Sequence, residues 1–140
     1  MCALIPEQLK GWKFILVVKA GKVAFEKDWQ TTANYAYDDP KLITWLKEGG
    51  NYGVLPTGRQ LIIDIDRDGM DGLRTTLIQS LGPTFTVKTP HGGEHRYYVL
   101  DDNQDRMNLP LTDFKTGRNA GHIKAGSGGY VVGPGSRIEE

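Results

Sequence analysis

The 140-residue chain is predicted to adopt an α+β fold, in which an α/β first half is followed by antiparallel β-structure. In the first half, short apolar strand patterns alternate with two segments that carry helix start and stop signals. From Thr84 onward, strand-like runs are separated by the turn-forming sequences HGG, GSGG and PGS. Alternating elements favour α/β packing, whereas consecutive short strands favour antiparallel pairing. Because no linker interrupts the chain, residues 1–140 are expected to form one domain.

The first half begins with a short helix predicted near Pro6–Lys10. FILVVKAGKVAFEKDW then predicts a strand and a turn at Gly21. DDPKLITWLKEGG predicts a helix, because Asp39 can cap its N-terminus, Pro40 suits the first turn and Gly49 can end it. NYGVLPTG predicts a strand and a turn.

QLIIDID is predicted to form the next strand, and DGLRTTLIQSLG a helix with Asp71 as its N-cap and Gly82 as its stop. The remaining predicted strands are FTVKT, HRYYVL, LTDFK, GHIKA and GYVVG.

Composition excludes several classes of protein. Lysine and arginine together number 17, as do aspartate and glutamate, so no global basic field points to a nucleic-acid partner, although a local patch is compatible with this balance. Cys2 is the only cysteine, which excludes a disulfide framework and a Cys-x-x-Cys zinc motif and is typical of a reducing compartment. The longest apolar run, Phe14–Val18, is too short to cross a bilayer, and the N-terminus lacks a signal-peptide pattern. We therefore expect a cytoplasmic protein.

The stretch LIIDIDRDGMDG contains the most informative pattern in the chain. Its Asp-x-Asp-x-Asp-Gly core is how an EF-hand calcium loop begins, and Gly69 fits the sixth loop position. The twelfth position, however, is Thr75 instead of the bidentate glutamate, and a strand precedes the loop where an EF-hand has a helix. The calcium loop is therefore disfavoured.

In a strand, side chains alternate between faces, so Asp64 and Asp66 are expected to share one face, roughly 7 Å apart, while Ile63 and Ile65 enter the core. Such a carboxylate pair can bind one or two divalent cations, and the alternative is a solvated strand end. The metal site is favoured, because two like charges beside a buried strand are costly unless a cation neutralises them. Asp68 follows the strand, where a turn or cap role is favoured over a third ligand.

Three stretches carry a family resemblance: NYGVLPTGRQLIIDIDRDG, TVKTPHGGEHRYYV and GGYVVGPGS. In this order and spacing they resemble the three signature regions of bifunctional primase-polymerase (prim-pol) domains of the archaeo-eukaryotic primase superfamily, over nearly the whole chain. The resemblance implies an αβ unit packed on a mostly antiparallel sheet like that of an RNA-recognition motif. It also implies template-directed transfer of nucleotides to a 3′-hydroxyl or an initiating nucleotide, with Mg²⁺ or Mn²⁺ as cofactor.

The partners that the resemblance implies are a single-stranded DNA template, a primer and nucleoside triphosphates. Domains of this family usually run somewhat further and are joined to a helicase. The chain is therefore expected to be the N-terminal fragment of a larger replication protein, with a fused or associated helicase.

The resemblance also assigns site residues. Asp64 and Asp66 match the metal-binding carboxylates of the first motif, and His95 matches the second-motif histidine that contacts the phosphates of the incoming nucleotide. Gly93 occupies the position where the family often has serine, so a hydroxyl contact is lost. Backbone amides of that loop can still bind phosphate.

Two residues compete for the third-motif carboxylate. Asp113 has an apolar neighbour and a lysine two residues on, and His122 lies closer to the GGYVV run with the same pattern. Asp113 is favoured as the metal ligand and catalytic residue, because Mg²⁺ prefers oxygen over nitrogen. In that case the strand LTDFK would pair beside LIIDID, and His122 would face elsewhere. Lys115 would share a strand face with Asp113 and could bind phosphate, the alternative being a solvated surface lysine.

Other residues are weaker candidates for binding phosphate, template or metal. Further basic candidates for phosphate or template are Lys88, Arg96 and Lys124, and the tyrosines that could stack on bases, or simply fill the core, are Tyr52, Tyr97 and Tyr98. A zinc site at His91 and His95 is disfavoured, because two glycines between them indicate a turn. GSGGYVVGPGS lacks the ending of a Walker loop and is assigned to structural turns.

Two other functions remain open. One is a catalytically inactive nucleic-acid-binding module of a replication protein. This alternative gains support if His122 lies beside the acidic pair, because the centre of the domain then has only two carboxylates. The other is a metal-dependent nuclease or phosphohydrolase, which could use Asp64, Asp66 and His95.

Overall fold

The computed structural model describes residues 5–70, 72–101, 109–112, 119–126 and 128–139. Within them are two α-helices and eight β-strands, which form two sheets with only antiparallel pairings. This mixture confirms the predicted α+β class. The elements in chain order are β1 (Lys13–Val17), α1 (Pro40–Lys47), β2 (Asn51–Leu55), β3 (Gln60–Ile65), α2 (Leu73–Leu81), β4 (Thr86–Lys88), β5 (Glu94–Val99), β6 (Leu109–Thr112), β7 (Asn119–Ala125) and β8 (Val131–Val132).

The chain folds as two compact units. One comprises the described residues up to Thr57 together with those from Gly129 onward, and the other comprises the described residues of Gly58–Gly128. The single domain expected from the sequence stays a prediction.

The first unit contains the three-stranded sheet, in the order β1-β2-β8. Its helix α1 starts where the sequence predicts, because the Asp39 carboxylate accepts a hydrogen bond from the Lys41 amide at 2.9 Å and Pro40 occupies the first turn. The buried Asn51 joins the C-terminal segment to the turn after β1, since its side-chain amide donates to the carbonyls of Gly21 and Arg137 at 3.0 and 2.7 Å. Gly126 before β8, and Pro134 and Gly135 after it, lie in turns, as expected for this part of the sequence.

The second unit contains the five-stranded sheet, in the order β4-β5-β3-β7-β6. Strand β3 lies at its centre and alternates as predicted. We call the face that carries Leu61, Ile63 and Ile65 the back face, and the face that carries Asp64 the front face. The three back-face residues form a core cluster with Tyr98 and Ala125.

The helical segments differ from the prediction at the N-terminus of the chain. The helix expected near Pro6–Lys10 is a single 3₁₀ turn at Glu7–Leu9, because the four residues between Pro6 and the glycine at position 11 are too few for a stable α-helix. Helix α2 follows Gly72, which offers no side-chain cap, and the predicted cap Asp71 lies outside the described residues. The predicted stop at Gly82 is confirmed by its φ of 78°, which glycine adopts without strain. Neither described helix is long and apolar enough to cross a membrane.

Candidate active site on the five-stranded sheet

Asp64 lies at the centre of the front face, between two histidines. The strand registers place His95 of β5 directly opposite Asp64 on one side and His122 of β7 directly opposite on the other. Residues that are directly opposite in antiparallel strands project from the same face. The fold therefore brings a carboxylate and two imidazoles into one row across three strands.

The contact between His95 and Asp64 is direct. Nε2 of His95 lies 3.4 Å from Oδ1 of Asp64, and the two side chains are only 13% and 27% exposed. This distance is long for a hydrogen bond, so the contact is a weak one.

The surroundings of Asp64 favour its ionised form. Burial raises the pKa of the carboxyl group, but the hydrogen bond from His95 and the electrostatic interactions with His95, Lys124 and His122 outweigh burial, and the pKa is lowered overall. Lys124 lies opposite Ile62, two residues along β7 from His122, and so shares the front face. Asp64 is therefore a carboxylate at neutral pH, flanked by two imidazoles and near the Lys124 side chain.

Asp66 stands where β3 ends and the chain turns. Its amide donates to the carbonyl of Ala120 at 2.8 Å, its backbone is extended, and its side chain is exposed. The 3₁₀ turn Arg67–Gly69 follows, so Asp68 lies in the turn that its position predicts. Extended backbone between Asp64 and Asp66 agrees with the expectation that the two carboxylates share a face.

The structure changes the expectation for the third-motif residue. Asp113 and Lys115 lie outside the described residues, and their roles stay predictions. The expectation that the LTDFK strand pairs with β3 is wrong, because β6 pairs with β7, and β7 occupies the place beside β3. Strand β7 can lie there because Gly121 has no side chain, and a Cβ atom would collide with the carbonyl oxygen of Asp64.

The expectation that His122 faces elsewhere is also wrong. Its register opposite Asp64 puts it on the front face, in the row described above. That expectation followed from favouring Asp113 over His122 on ligand chemistry alone. The signal that could have identified it is the alternation of His122 and Lys124, which puts two nitrogen-bearing side chains on one face of the GHIKA strand.

The turn before His95 leaves little room for side chains. Thr89 accepts hydrogen bonds from the amides of Gly92 and Gly93, at 3.2 and 3.1 Å, and Gly92 has a φ of 90°. A Cβ atom at Gly93 would collide with the carbonyl oxygen of Ile65, which explains why glycine stands where the resembling family often has serine. The two amides are used within the turn in this conformation.

Several weaker candidates are also placed. The prediction that Arg96 contacts phosphate or template is wrong, because Arg96 lies opposite Ile63 on the back face and is only 4% exposed. Tyr52, Tyr97 and Tyr98 are buried, in agreement with their alternative role as core residues. Lys88 is exposed in β4, and its register opposite Glu94 puts it on the back face. Among these candidates, only Lys124 approaches Asp64 on the front face closely enough to lower its pKa.

Among the described residues, no group of three His, Cys, Asp or Glu side chains is arranged to hold a metal ion. The site contains the ionised carboxylate of Asp64 within the sheet and the exposed side chain of Asp66 at the strand end. A cation bound by this pair would need further ligands from water, from a substrate or from residues outside the described ranges.

Comparison with known proteins agrees with the fold. The family model described as "Bifunctional DNA primase/polymerase, N-terminal" matches residues 7–140. No protein of curated function matches the chain.

Proposed function

The chain belongs to the bifunctional DNA primase/polymerase N-terminal family, and on this premise we propose that it is a nucleotidyltransferase. Family membership supports primase or polymerase activity, and we propose in addition that the reaction depends on Mg²⁺ or Mn²⁺. The nucleotides would be added to a primer or to an initiating nucleotide, opposite a single-stranded DNA template. The observation that carries this proposal is the ionised Asp64 at the sheet centre, flanked by His95 and His122 with Asp66 at the strand end.

The donor chemistry of the carboxylate pair fits a hard divalent cation. Mg²⁺ usually keeps several waters and is bound by one or two carboxylates together with substrate phosphates. Asp64 and Asp66 would supply the protein oxygens, and Asp113 remains the predicted third carboxylate. A bound divalent cation would lower the pKa of the attacking 3′-hydroxyl and neutralise the leaving pyrophosphate.

The nitrogen-bearing side chains of the front face would hold the triphosphate. In the free protein, His95 donates towards Asp64, and it can donate to a phosphate oxygen instead once Asp64 turns to the cation. Lys124 adds a permanent positive charge on the same face. His122, on the opposite side of Asp64, can donate to a second phosphate oxygen.

Primer extension with labelled nucleotides tests this function directly. The chain is incubated with a primed single-stranded template, nucleotides and either Mg²⁺, Mn²⁺ or EDTA. Products longer than the primer, formed only with metal, are expected. A primer that becomes shorter would favour the nuclease or phosphohydrolase instead, and an unprimed template tests initiation.

A second function is favoured by one observation. His122 lies beside Asp64, and the described residues contain no group of three metal-binding side chains, so a module that binds nucleic acid without catalysis is the main alternative. Isothermal titration with Mn²⁺ and a nucleoside triphosphate separates the two, because an inactive module should show no metal-dependent binding of the nucleotide. A fused or associated helicase is part of the same proposal for either function.

A further inference from the structure

The back face of β5 carries a buried chain of polar contacts directly behind His95. Glu94 and Arg96, which flank His95 in sequence, are 3% and 4% exposed. The Glu94 carboxylate accepts hydrogen bonds from Arg96 and from Arg74 of α2, both at 2.7 Å. Arg96 also donates to the Tyr98 hydroxyl at 3.1 Å. We call Arg74, Glu94, Arg96 and Tyr98 the back-face network.

The back-face network attaches α2 to β5 at both ends of the helix. Arg74 lies in the first turn of α2, and the Tyr98 hydroxyl donates at 3.1 Å to the carbonyl of Gly82, where the helix stops. The first turn of α2 follows closely after Asp66 in the chain. The Glu94–Arg74 contact therefore joins the strand that carries His95 to the segment that continues from Asp66.

Stability alone is a poor explanation for this network. A buried ion pair loses so much solvation that well-packed apolar residues often stabilise a fold equally well or better. The neighbouring strand β3 uses such residues at the matching positions, Leu61, Ile63 and Ile65. What charged hydrogen bonds add over apolar contacts is direction, because they fix the distance and angle between the groups they join.

We propose that Glu94 is a positioning residue, which acts through β5 and Arg74 to hold His95 and Asp66 in the relative position that nucleotide binding requires. This proposal rests on the proposed nucleotidyltransferase function. Arg96 keeps the Glu94 carboxylate directed at Arg74, since it binds the other carboxylate oxygen. The Tyr98 hydroxyl binds Arg96 and the distant end of α2, and neither of these two hydrogen bonds involves the Glu94 carboxylate.

The proposal is tested by titration with a deoxynucleoside triphosphate and Mn²⁺. The temperature is chosen so that circular dichroism shows each variant to be folded. Glu94→Gln keeps the side-chain volume and removes the charge. It should raise the Kd for the nucleotide by about tenfold, because small displacements of binding groups are costly. In primer extension, the variant should raise KM more than it lowers kcat.

Two further variants separate positioning from general stability. Tyr98→Phe removes the hydrogen bonds to Arg96 and Gly82 but leaves both hydrogen bonds of the Glu94 carboxylate in place, so it should lower thermal stability and leave the Kd unchanged. Arg74→Gln should weaken nucleotide binding as Glu94→Gln does, and Arg74→Lys should restore most of it because the charge is kept. The Arg74 side chain is 42% exposed, so these two variants remain informative if Glu94→Gln does not fold.

The outcomes distinguish the two proposals. If the unmodified chain binds no triphosphate, the proposed function fails, and the positioning role fails with it. If it binds triphosphate and the Glu94 and Arg74 variants bind equally well, the positioning role alone is overturned. An equal loss of affinity in Tyr98→Phe would also overturn it, because the network would then act only through stability.

Discussion

Replacing Asp64 with Asn tests the electrostatic balance of the site in the metal-free chain. Repulsion from Asp66 alone predicts that losing the charge should leave stability unchanged or slightly increased. The structure predicts the opposite, because attraction to His95, His122 and Lys124 outweighs burial and lowers the pKa of Asp64. The variant should therefore be less stable than the unmodified chain.

The contact with His95 limits the size of this loss. A well-formed hydrogen bond to a charged group contributes about 1.5–3 kcal/mol, and an exposed ion pair about 0–1 kcal/mol. The distance of 3.4 Å and the 27% exposure of Asp64 place this contact between the two classes. We expect a loss of about 1 kcal/mol in the free energy of unfolding, which lowers Tm by roughly 3 °C in a chain of this size.

The loss should depend on pH with a defined sign. Because folding lowers the pKa of Asp64, its contribution is present above the ordinary pKa of aspartate and is lost as the pH falls through the lowered value. Urea unfolding in EDTA, at neutral pH and in acid, measures the difference between the chain and Asp64→Asn. Asp68→Asn, in the exposed turn, is the matched control and should change stability by less than about 0.5 kcal/mol. An Asp64→Asn variant that is as stable as the unmodified chain at neutral pH, or more stable, would refute the reasoning.

Three further predictions concern the residues around Asp64. His95→Ala should weaken triphosphate binding by roughly 1.5–3 kcal/mol, as measured by titration calorimetry, while metal binding stays nearly unchanged; the reverse result would place His95 among the metal ligands. His122→Ala should also weaken triphosphate binding, and His122→Asp should strengthen Mg²⁺ binding by adding an oxygen donor; unchanged binding in both variants would remove His122 from the site. Gly93→Ser should lower the free energy of unfolding by about 1–3 kcal/mol, because its Cβ atom would collide with the carbonyl oxygen of Ile65. Gly11→Ala is the control and should be close to neutral, because a Cβ atom there meets open space. Equal effects of the two substitutions in calorimetric scans would contradict the packing argument.

Local signals explain what the sequence could predict. The cap at Asp39 and the stop at Gly82 are encoded by the residues themselves, and both are confirmed. The alternation of LIIDI likewise determines which side chains enter the core, so Ile63 and Ile65 are buried behind Asp64 as expected. These features depend on neighbours a few residues away, which a single sequence contains.

Strand order could not be predicted in the same way. The pairing of β7 with β3 depends on contacts between residues far apart in the chain, and on the close approach at Gly121 that only the three-dimensional structure reveals. The expectation that favoured Asp113 and turned His122 away used ligand chemistry without this order. Arg96 is different, because its position one residue from His95 in a strand already indicates the opposite face.

Nucleotide incorporation by single-site variants tests the central claim most directly. Asp64→Ala and Asp66→Ala are compared with Asp68→Ala in primer extension with Mg²⁺ and with Mn²⁺, after circular dichroism has shown that each variant is folded. The account predicts that the first two variants incorporate no nucleotide with either metal and that Asp68→Ala remains active. Incorporation by Asp64→Ala or Asp66→Ala at the rate of the unmodified chain would contradict the assignment of these carboxylates to the catalytic centre.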